Sequence, residues 1–140
     1  MVTKNKIEKD GDIINRLEIP EAIIRLRRDG IVHVTFRRDT VFDVVVQMNM
    51  LKLNNQITDG KKSYFIYDGE ENVSITKEAR DNAVKIEDLS PTAGSAVIAN
   101  NLAYRMVANF YVKFNKPRTP FKVVSTLEEA VAWIKTLPPL

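Results

Sequence analysis

One stretch near the middle of the chain, residues 61–80 (KKSYFIYDGEENVSITKEAR), constrains the fold more than any other. Residues 63–67 have the aromatic and β-branched composition of a strand, and this strand is apolar on both faces. We expect Asp68 and Gly69 to end it, and Thr76 to offer a hydroxyl N-cap for a helix. An apolar strand that leads through a polar loop into a helix predicts the central strand of a parallel sheet.

Strand and helix patterns alternate along the rest of the chain. Residues 21–37 form a predicted hairpin around Asp29-Gly30, because Asp and Gly tolerate the positive φ of a two-residue turn. Residues 126–129 (TLEE) are a capping box that begins the last helix. The other expected elements are a helix from Asp39 or Thr40 to about Ile57, a short helix after Thr76, a strand at residues 95–99, a helix from Asn100 or Asn101 to about Phe114, and a strand at residues 121–124.

The order of these elements, β-β-α-β-α-β-α-β-α, predicts an α/β fold with a mixed, mostly parallel sheet. A chain of 140 residues is typical of one domain. We assign residues 1–19 to an N-terminal tail or an extra strand, and residues 20–140 to the folded domain.

The predicted hairpin has two different faces. Strict alternation places one set of side chains toward the core, namely Ala22, Ile24, Leu26, Val32, Val34 and Phe36. The opposite set is expected in solvent, namely Arg25, Arg27, His33, Thr35 and Arg37. We interpret the second set as a charged face that discourages edge pairing, and a surface for an anion or an acidic partner is the alternative.

The composition argues against several kinds of chemistry. The chain has no cysteine and one histidine, so thiolate, zinc-thiolate and histidine-relay sites are not expected. A net charge of +3 is too small to indicate nucleic-acid binding. No apolar run approaches the roughly 20 residues of a membrane span, and the first residues lack the apolar core of a signal peptide. We therefore expect a cytoplasmic protein with no catalytic residues, no metal and no cofactor.

Two sides of the helix at residues 101–114 are apolar, which is typical of a helix that is sandwiched or lies at an interface. Tyr104, Arg105 and Tyr111 are the candidate residues of an interface or ligand surface. A homodimer formed through this helix is a separate prediction. The first side consists of Ala103, Met106, Val107, Phe110 and Phe114, and the second of Tyr104, Ala108 and Tyr111.

The ordered combination of YFIYDG, SITKEAR, NLAYRMVANFYVKFNKPRTPFKV and STLEEAVAWI resembles the SpoIIAA-like fold of the STAS domain over residues 20–137. STAS domains include anti-sigma-factor antagonists and sulfate-transporter tails. The chain is more similar still to an uncharacterised bacterial branch of that superfamily, which is termed STAS-like.

In phosphorylated antagonists, the resemblance implies a phosphoacceptor Ser or Thr at the helix start after the central strand. The family pattern there is Asp-Ser-Ser/Thr-Gly-Leu, whereas residues 74–78 of this chain read SITKE and lack the Asp-Ser pair and the Gly. The resemblance thus implies a phosphoacceptor or interaction loop at Asp68, Gly69, Ser74 and Thr76. A plain N-cap role of Thr76 is the alternative.

The resemblance and the absence of a catalytic motif predict a non-catalytic STAS-like regulatory or protein-interaction domain with an unknown protein partner. The alternative is a small-molecule or lipid-binding module, because related folds are known to bind ligands between helices and sheet. In that alternative the pocket would be lined by Tyr104, Phe110, Tyr111, Phe114 and Trp133.

Overall fold

The computed structural model describes residues 12–140, which form eight strands and four helices. Of the predicted tail or extra strand at residues 1–19, residues 1–11 lie outside the described residues, and Ile13–Ile19 form a strand. The elements in chain order are β1 (Ile13–Ile19), β2 (Ala22–Arg27), β3 (Val32–Phe36), β4 (Val41–Phe42), α1 (Val44–Ile57), β5 (Ser63–Gly69), β6 (Ser74–Ile75), α2 (Lys77–Lys85), β7 (Thr92–Ile98), α3 (Leu102–Asn115), β8 (Phe121–Val124) and α4 (Leu127–Ile134).

A six-stranded mixed sheet forms the middle layer, with the strand order β1-β2-β3-β5-β7-β8. β1, β2 and β3 are antiparallel, whereas β5, β7 and β8 continue from β3 in parallel. Phe65 and Ile66, on opposite faces of β5, are both 0% exposed. The predicted mixed, mostly parallel sheet and its doubly covered central strand are confirmed. β5 runs on through Asp68 and Gly69, which were predicted to end it, because both residues pair with β3.

Helices cover both faces of this sheet. On one face, Met50 and Ile57 of α1 belong to the same buried cluster as Phe65. On the other face, Leu127 and Ile134 of α4 belong to the cluster of Ile66. Helices α2 and α3 lie on the same face of the sheet as α1. These three helices and that face of the sheet position the candidate site.

The start of α1 differs from the prediction. Asp43 is the N-cap, rather than Asp39 or Thr40, and its carboxylate accepts a hydrogen bond from the Val46 N–H at 2.9 Å. Residues 41–42 instead form β4, which pairs in parallel with β6. The same pairing places a short strand, β6, inside the segment that was predicted as a loop. Pairing between distant residues therefore overrides the local signal for a helix start.

The buried side of α1 carries a polar residue. Val45 and Asn49 are exposed, whereas Gln47 is buried. Its amide nitrogen donates to the Ala79 carbonyl at 2.7 Å, and its amide oxygen accepts from Asn82 at 2.9 Å. Buried partners thus make a polar residue acceptable on the inward side.

The predicted hairpin is confirmed as β2 and β3, and Gly30 in its turn has a φ of 86°. The expectation that its arginine-rich face is in solvent is wrong at His33, which is 2% exposed. His33 Nε2 lies 3.0 Å from Asp68 Oδ2, on the α4 side of the sheet. Alternation identifies two faces of a hairpin, but it does not show that a helical layer covers the second one.

Candidate functional site

A cavity of about 1200 Å³ lies between the sheet and helices α1, α2 and α3. Its aromatic floor consists of Phe36, Phe42 and Tyr67. The rings of Phe36 and Tyr67 are stacked with centroids 6.4 Å apart, and Phe36 meets Phe42 edge-on at 5.1 Å. Val97 of β7 continues this floor toward β8.

Small side chains explain why the space is open. α2 presents Ala79 and Ala83 to the cavity, and α3 presents Ala103 and Ala108. Methyl groups at these positions do not reach across the gap between the helices and the sheet. Ligand clefts in proteins are concave, of comparable size and lined mainly by apolar side chains, so this half-open space is a candidate binding site.

Polar side chains converge on one part of the cavity. Tyr67 is half-buried there, and the side chains of Thr92 and Asn54 lie close enough to its hydroxyl to act on it by hydrogen bonding. Burial is the largest effect and raises the pKa of Tyr67 well above the usual 10.0, and repulsion from Tyr111 raises it further. The hydrogen bonds with Thr92 and Asn54 lower the pKa, but they do not offset the effect of burial. The phenol of Tyr67 is therefore neutral at physiological pH.

Asn54 is the second polar group at this position. It is 5% exposed and lines the cavity, and its Oδ1 atom has no hydrogen-bond partner among residues 12–140. A buried amide oxygen without a partner is uncommon in folded proteins. The Oδ1 atom has less than 1 Å² of accessible surface, so it faces neighbouring protein atoms rather than the open space of the cavity.

Tyr111 of α3 is the third polar group. Burial, and then the negative charge of Glu87, raises the pKa of Tyr111 to about 12. Its ring packs against Phe121 with centroids 5.3 Å apart. Glu87 is held by Arg118, whose backbone N–H and Nε donate to its carboxylate at 2.9 and 3.1 Å. Tyr111 is consequently a second neutral phenol in the cavity wall.

The raised pKa values predict how stability changes at high pH. Because folding raises the pKa of Tyr67 and Tyr111, their contribution to the free energy of unfolding is fully present below pH 10 and is lost as pH rises toward 12. We expect urea titrations from pH 9 to 11.5 to show this fall, and Tyr111→Phe to flatten it. Ionisation of all four tyrosines near pH 10 in the folded protein, followed at 295 nm, would contradict the expectation.

Tyr104 ties α3 to the segment that follows β5. Its hydroxyl donates to the Glu70 carbonyl and accepts from the Val73 N–H, both at 2.9 Å. Residues 69–75 border the cavity, as Tyr104 itself does. Asn101, one of the two predicted caps, begins α3 by accepting from the Tyr104 N–H at 2.9 Å. Tyr104 thus links two borders of the cavity, α3 and the segment after β5, by hydrogen bonds.

Replacing Tyr104 with Phe is expected to remove both of these hydrogen bonds and to lower the free energy of unfolding by about 1–2 kcal/mol. The Val73 amide should also exchange its hydrogen faster, which hydrogen-exchange mass spectrometry or NMR measures. Tyr64→Phe is the matched control, because the Tyr64 hydroxyl donates to the Pro138 carbonyl at 2.6 Å and makes no bond to Val73. Equal rates of Val73 amide exchange in Tyr104→Phe and Tyr64→Phe would contradict the link between α3 and the segment after β5.

Arg105 faces a different part of the molecule from Tyr104 and Tyr111. Its guanidinium donates to the Ala99 carbonyl at 3.1 Å and to the Ser125 hydroxyl at 2.7 Å. It therefore fixes α3 to the segments after β7 and β8. The cavity brings together Tyr104, Tyr111 and the segment after β5, but Arg105 does not line it.

The predicted loop residues have separate surroundings. Asp68 Oδ2 is 3.0 Å from His33, and a Cβ on Gly69 would lie 3.1 Å from the Val73 side chain. Ser74 is exposed in β6. The Thr76 hydroxyl accepts from the Ala79 N–H at 3.1 Å, which is the predicted N-cap bond. Phosphorylation of Ser74 or Thr76 stays a prediction.

The outer side of α3 is apolar and exposed. Leu102, Met106 and Phe110 are 74%, 62% and 49% exposed, and they follow one another at intervals of one helical turn. Phe110 therefore faces away from the cavity that it was expected to line, with the Arg80 guanidinium 5.6 Å from its ring centroid. Trp133 packs in the cluster on the α4 side of the sheet. The Phe114 side chain is outside the described part of the chain.

Sequence reasoning did not identify Asn54, Thr92 or the alanines of the cavity wall. A signal for Asn54 exists in retrospect, because Gln47, Met50, Asn54 and Ile57 share one side of α1. Among residues 12–140 there is no group of three or more His, Asp or Glu side chains placed to bind a metal ion. Within the same range, none of the helices has both the length and the apolar character needed to cross a membrane.

Comparison with known proteins places the chain in a family. Residues 24–138 match the model of DUF7793, a domain of unknown function, and the chain belongs to that family. It is also similar to the crystal structure of an uncharacterised DUF3478-family protein with a SpoIIAA-like fold from Shewanella loihica PV-4. That similarity has a TM-score of 0.54 at 15% identity, over 80% of this chain and 90% of the other. It confirms the predicted SpoIIAA-like fold. No curated protein matches the sequence.

Proposed function

We propose that this STAS-like domain is a non-catalytic module that binds a small apolar molecule or a lipid chain in the cavity between the sheet and helices α1, α2 and α3. The observation that carries the proposal is the cavity itself, with a volume of about 1200 Å³. Of the two functions predicted from the sequence, the geometry favours the ligand-binding alternative over the regulatory or protein-interaction domain.

The character of the walls supports an apolar ligand. Aromatic rings form the floor, and alanine and valine side chains of α2, α3 and β7 form much of the rest. Burial of apolar surface provides about 25 cal/mol per Å², so a long alkyl chain would gain several kcal/mol on entering such a space. A mostly apolar pocket with a few convergent polar groups is the usual design of a small-molecule site.

The state of the polar groups supports binding rather than catalysis. Tyr67 and Tyr111 are neutral phenols suited to donating hydrogen bonds, since their pKa values are raised. Glu87 is already engaged by Arg118 and by the Thr119 N–H. The single histidine, His33, lies on the opposite side of the sheet, beside Asp68.

Fluorescence titration with N-phenyl-1-naphthylamine, a neutral apolar probe, tests the proposal. We expect saturable binding of one probe per chain, and a rise in the midpoint of thermal unfolding because a ligand that binds only the folded state stabilises it. Fluorescence that does not saturate, with no change in the thermal midpoint, would contradict the proposal.

The exposed outer side of α3 favours a second candidate function, that of a protein-interaction domain. Leu102, Met106 and Phe110 form an apolar surface of the kind that marks contact sites. A homodimer through α3, or an unknown protein partner, would cover it. Light scattering over a range of concentrations tests the homodimer, which Met106→Glu should dissociate; a monomer at every concentration would refute it.

A further inference from the structure

We infer that the outer side of α3 docks on a lipid bilayer that carries anionic lipids, which places the rim of the cavity at the bilayer and makes the bilayer the source of the ligand. This inference rests on the proposed function and adds the partner that supplies the apolar molecule. It is carried by the exposed row of Leu102, Met106 and Phe110, by the contact of this row with the rim of the cavity, and by the charge of α3.

The apolar row is continuous with the rim of the cavity. Val107, which follows Met106 on α3, is 40% exposed and also lines the cavity. Ile75 of β6 is 41% exposed and lines the cavity as well. Arg80 connects the row to this rim, because its guanidinium lies 5.6 Å from the centroid of the Phe110 ring and donates to the Ile75 carbonyl at 3.0 Å. An apolar molecule at the rim therefore meets apolar side chains of the outer surface.

The charge of α3 suits an anionic surface. Between Asp88 and Glu128 the chain contains five Lys or Arg residues and no Asp or Glu. Lys113 lies three residues after Phe110, on the same side of the helix as the apolar row, and both Lys113 and Lys116 are exposed at the C-terminal end of α3. An apolar row with lysines on the same helix is typical of helices that lie in the interface of an anionic membrane.

The neighbouring helix α2 does not reverse this charge. Asp81 of α2 contacts α3 by accepting a hydrogen bond from the Asn115 amide at 2.9 Å. Its carboxylate also accepts from Lys77 at 2.7 Å, so a cation balances its charge. The surface on this side of the molecule is consequently apolar and cationic.

A second copy of the chain is the rival occupant, and the size of the row favours the bilayer. Stable protein interfaces use about 20–30 residues from each partner. The row offers only Leu102, Met106 and Phe110, with Val107 beside them. A bilayer does not need a complementary protein surface, because its apolar layer accepts the side chains of a single helix face.

Flotation of the protein with lipid vesicles tests the docking. We expect vesicles of phosphatidylcholine with phosphatidylglycerol to bind at least about tenfold more tightly than vesicles of phosphatidylcholine alone, since each lysine near an anionic surface contributes roughly a fivefold factor. Lys113→Gln should weaken binding to the anionic vesicles about fivefold. Lys135→Gln makes the same change of net charge at an exposed position on α4, on the far side of the sheet, and should have no effect.

The apolar row is tested by Met106→Glu, which should weaken binding to the anionic vesicles at least about tenfold because a carboxylate does not enter the apolar layer. Ile14→Glu is the matched control, since Ile14 is 54% exposed on β1, at the edge of the sheet opposite β8. The thermal midpoint of both variants checks that they keep the fold.

A fluorescent label locates the contact, because the chain has no cysteine of its own. Nitrobenzoxadiazole attached to Met106→Cys or to Ile75→Cys should brighten and shift to the blue when anionic vesicles are added. The same label on Ile14→Cys should not change. A response at Ile75, which lies outside α3, would place the rim of the cavity at the bilayer.

The outcomes separate this inference from the proposed function. If N-phenyl-1-naphthylamine binds but the inference is wrong, the anionic vesicles do not bind, or bind no better than phosphatidylcholine alone, or bind Met106→Glu and Ile14→Glu equally; the proposed function then stands. A dimer that Met106→Glu dissociates, with no vesicle binding, would assign the row to a second copy of the chain. If the probe does not bind, the proposed function is overturned, and with it the bilayer as the source of a ligand.

Discussion

Replacing Ala83 with Phe is expected to abolish binding of N-phenyl-1-naphthylamine while the protein keeps its fold. Ala83 lies on α2 and lines the cavity, so a benzyl group there would occupy space that the ligand needs. We expect the dissociation constant to rise at least 100-fold, because a side chain of this size competes for the same apolar walls.

The stability of this variant should change little. Phe has a lower helix propensity than Ala, by roughly 0.5 kcal/mol, but burial of the ring in the cavity contributes up to about 2 kcal/mol in the opposite direction. Ala132→Phe is the matched control, since Ala132 is exposed on α4, on the far side of the sheet. Full probe binding by Ala83→Phe, at an unchanged thermal midpoint, would show that the probe binds elsewhere.

The largest effect on stability is expected from Phe65→Ala. Phe65 is 0% exposed in the central strand, and its ring stacks on Tyr67 with centroids 5.8 Å apart. Truncation of a buried Phe removes its burial and leaves a void, which lowers the free energy of unfolding by about 3–5 kcal/mol. That loss is a large part of the 5–15 kcal/mol typical of a domain.

Phe110→Ala makes the same chemical change at an exposed position and is the matched control. Phe110 is 49% exposed, and its contact with Arg80 contributes roughly 0.5–1 kcal/mol. Urea denaturation measures both variants, and Phe65→Leu serves if Phe65→Ala does not fold, with an expected loss below about 1.5 kcal/mol. Equal losses for Phe65→Ala and Phe110→Ala would contradict the assignment of the core.

The elements that the sequence predicts well are those with local chemical signals. Thr126 and Glu129 form the predicted capping arrangement at α4, where the Thr126 hydroxyl accepts from the Glu129 N–H at 3.1 Å. Gly30 takes the positive φ expected at the predicted turn, although residues 28–30 form a three-residue loop instead of the expected two-residue turn, and residues 121–124 form the predicted strand β8. In each case a few neighbouring residues determine the backbone, so tertiary contacts were not needed for the prediction.

Features that depend on distant residues could not be predicted. β4 and β6 are two residues each, too short to show any periodicity, and they form because residues 41–42 meet residues 74–75. The cavity is a further example. Ala79 and Ala83 lie on the inward side of α2, but only the packed structure shows that their methyl groups leave the gap unfilled.

The most direct measurement of the central claim is methyl NMR of the protein with 1-dodecanol. If the alkyl chain enters the cavity, intermolecular nuclear Overhauser effects should connect it to the methyl groups of Val97, Ala83 and Ala108, which line the space. Effects confined to Leu102 and Met106, on the exposed outer side of α3, would contradict the claim, as would the absence of any effect.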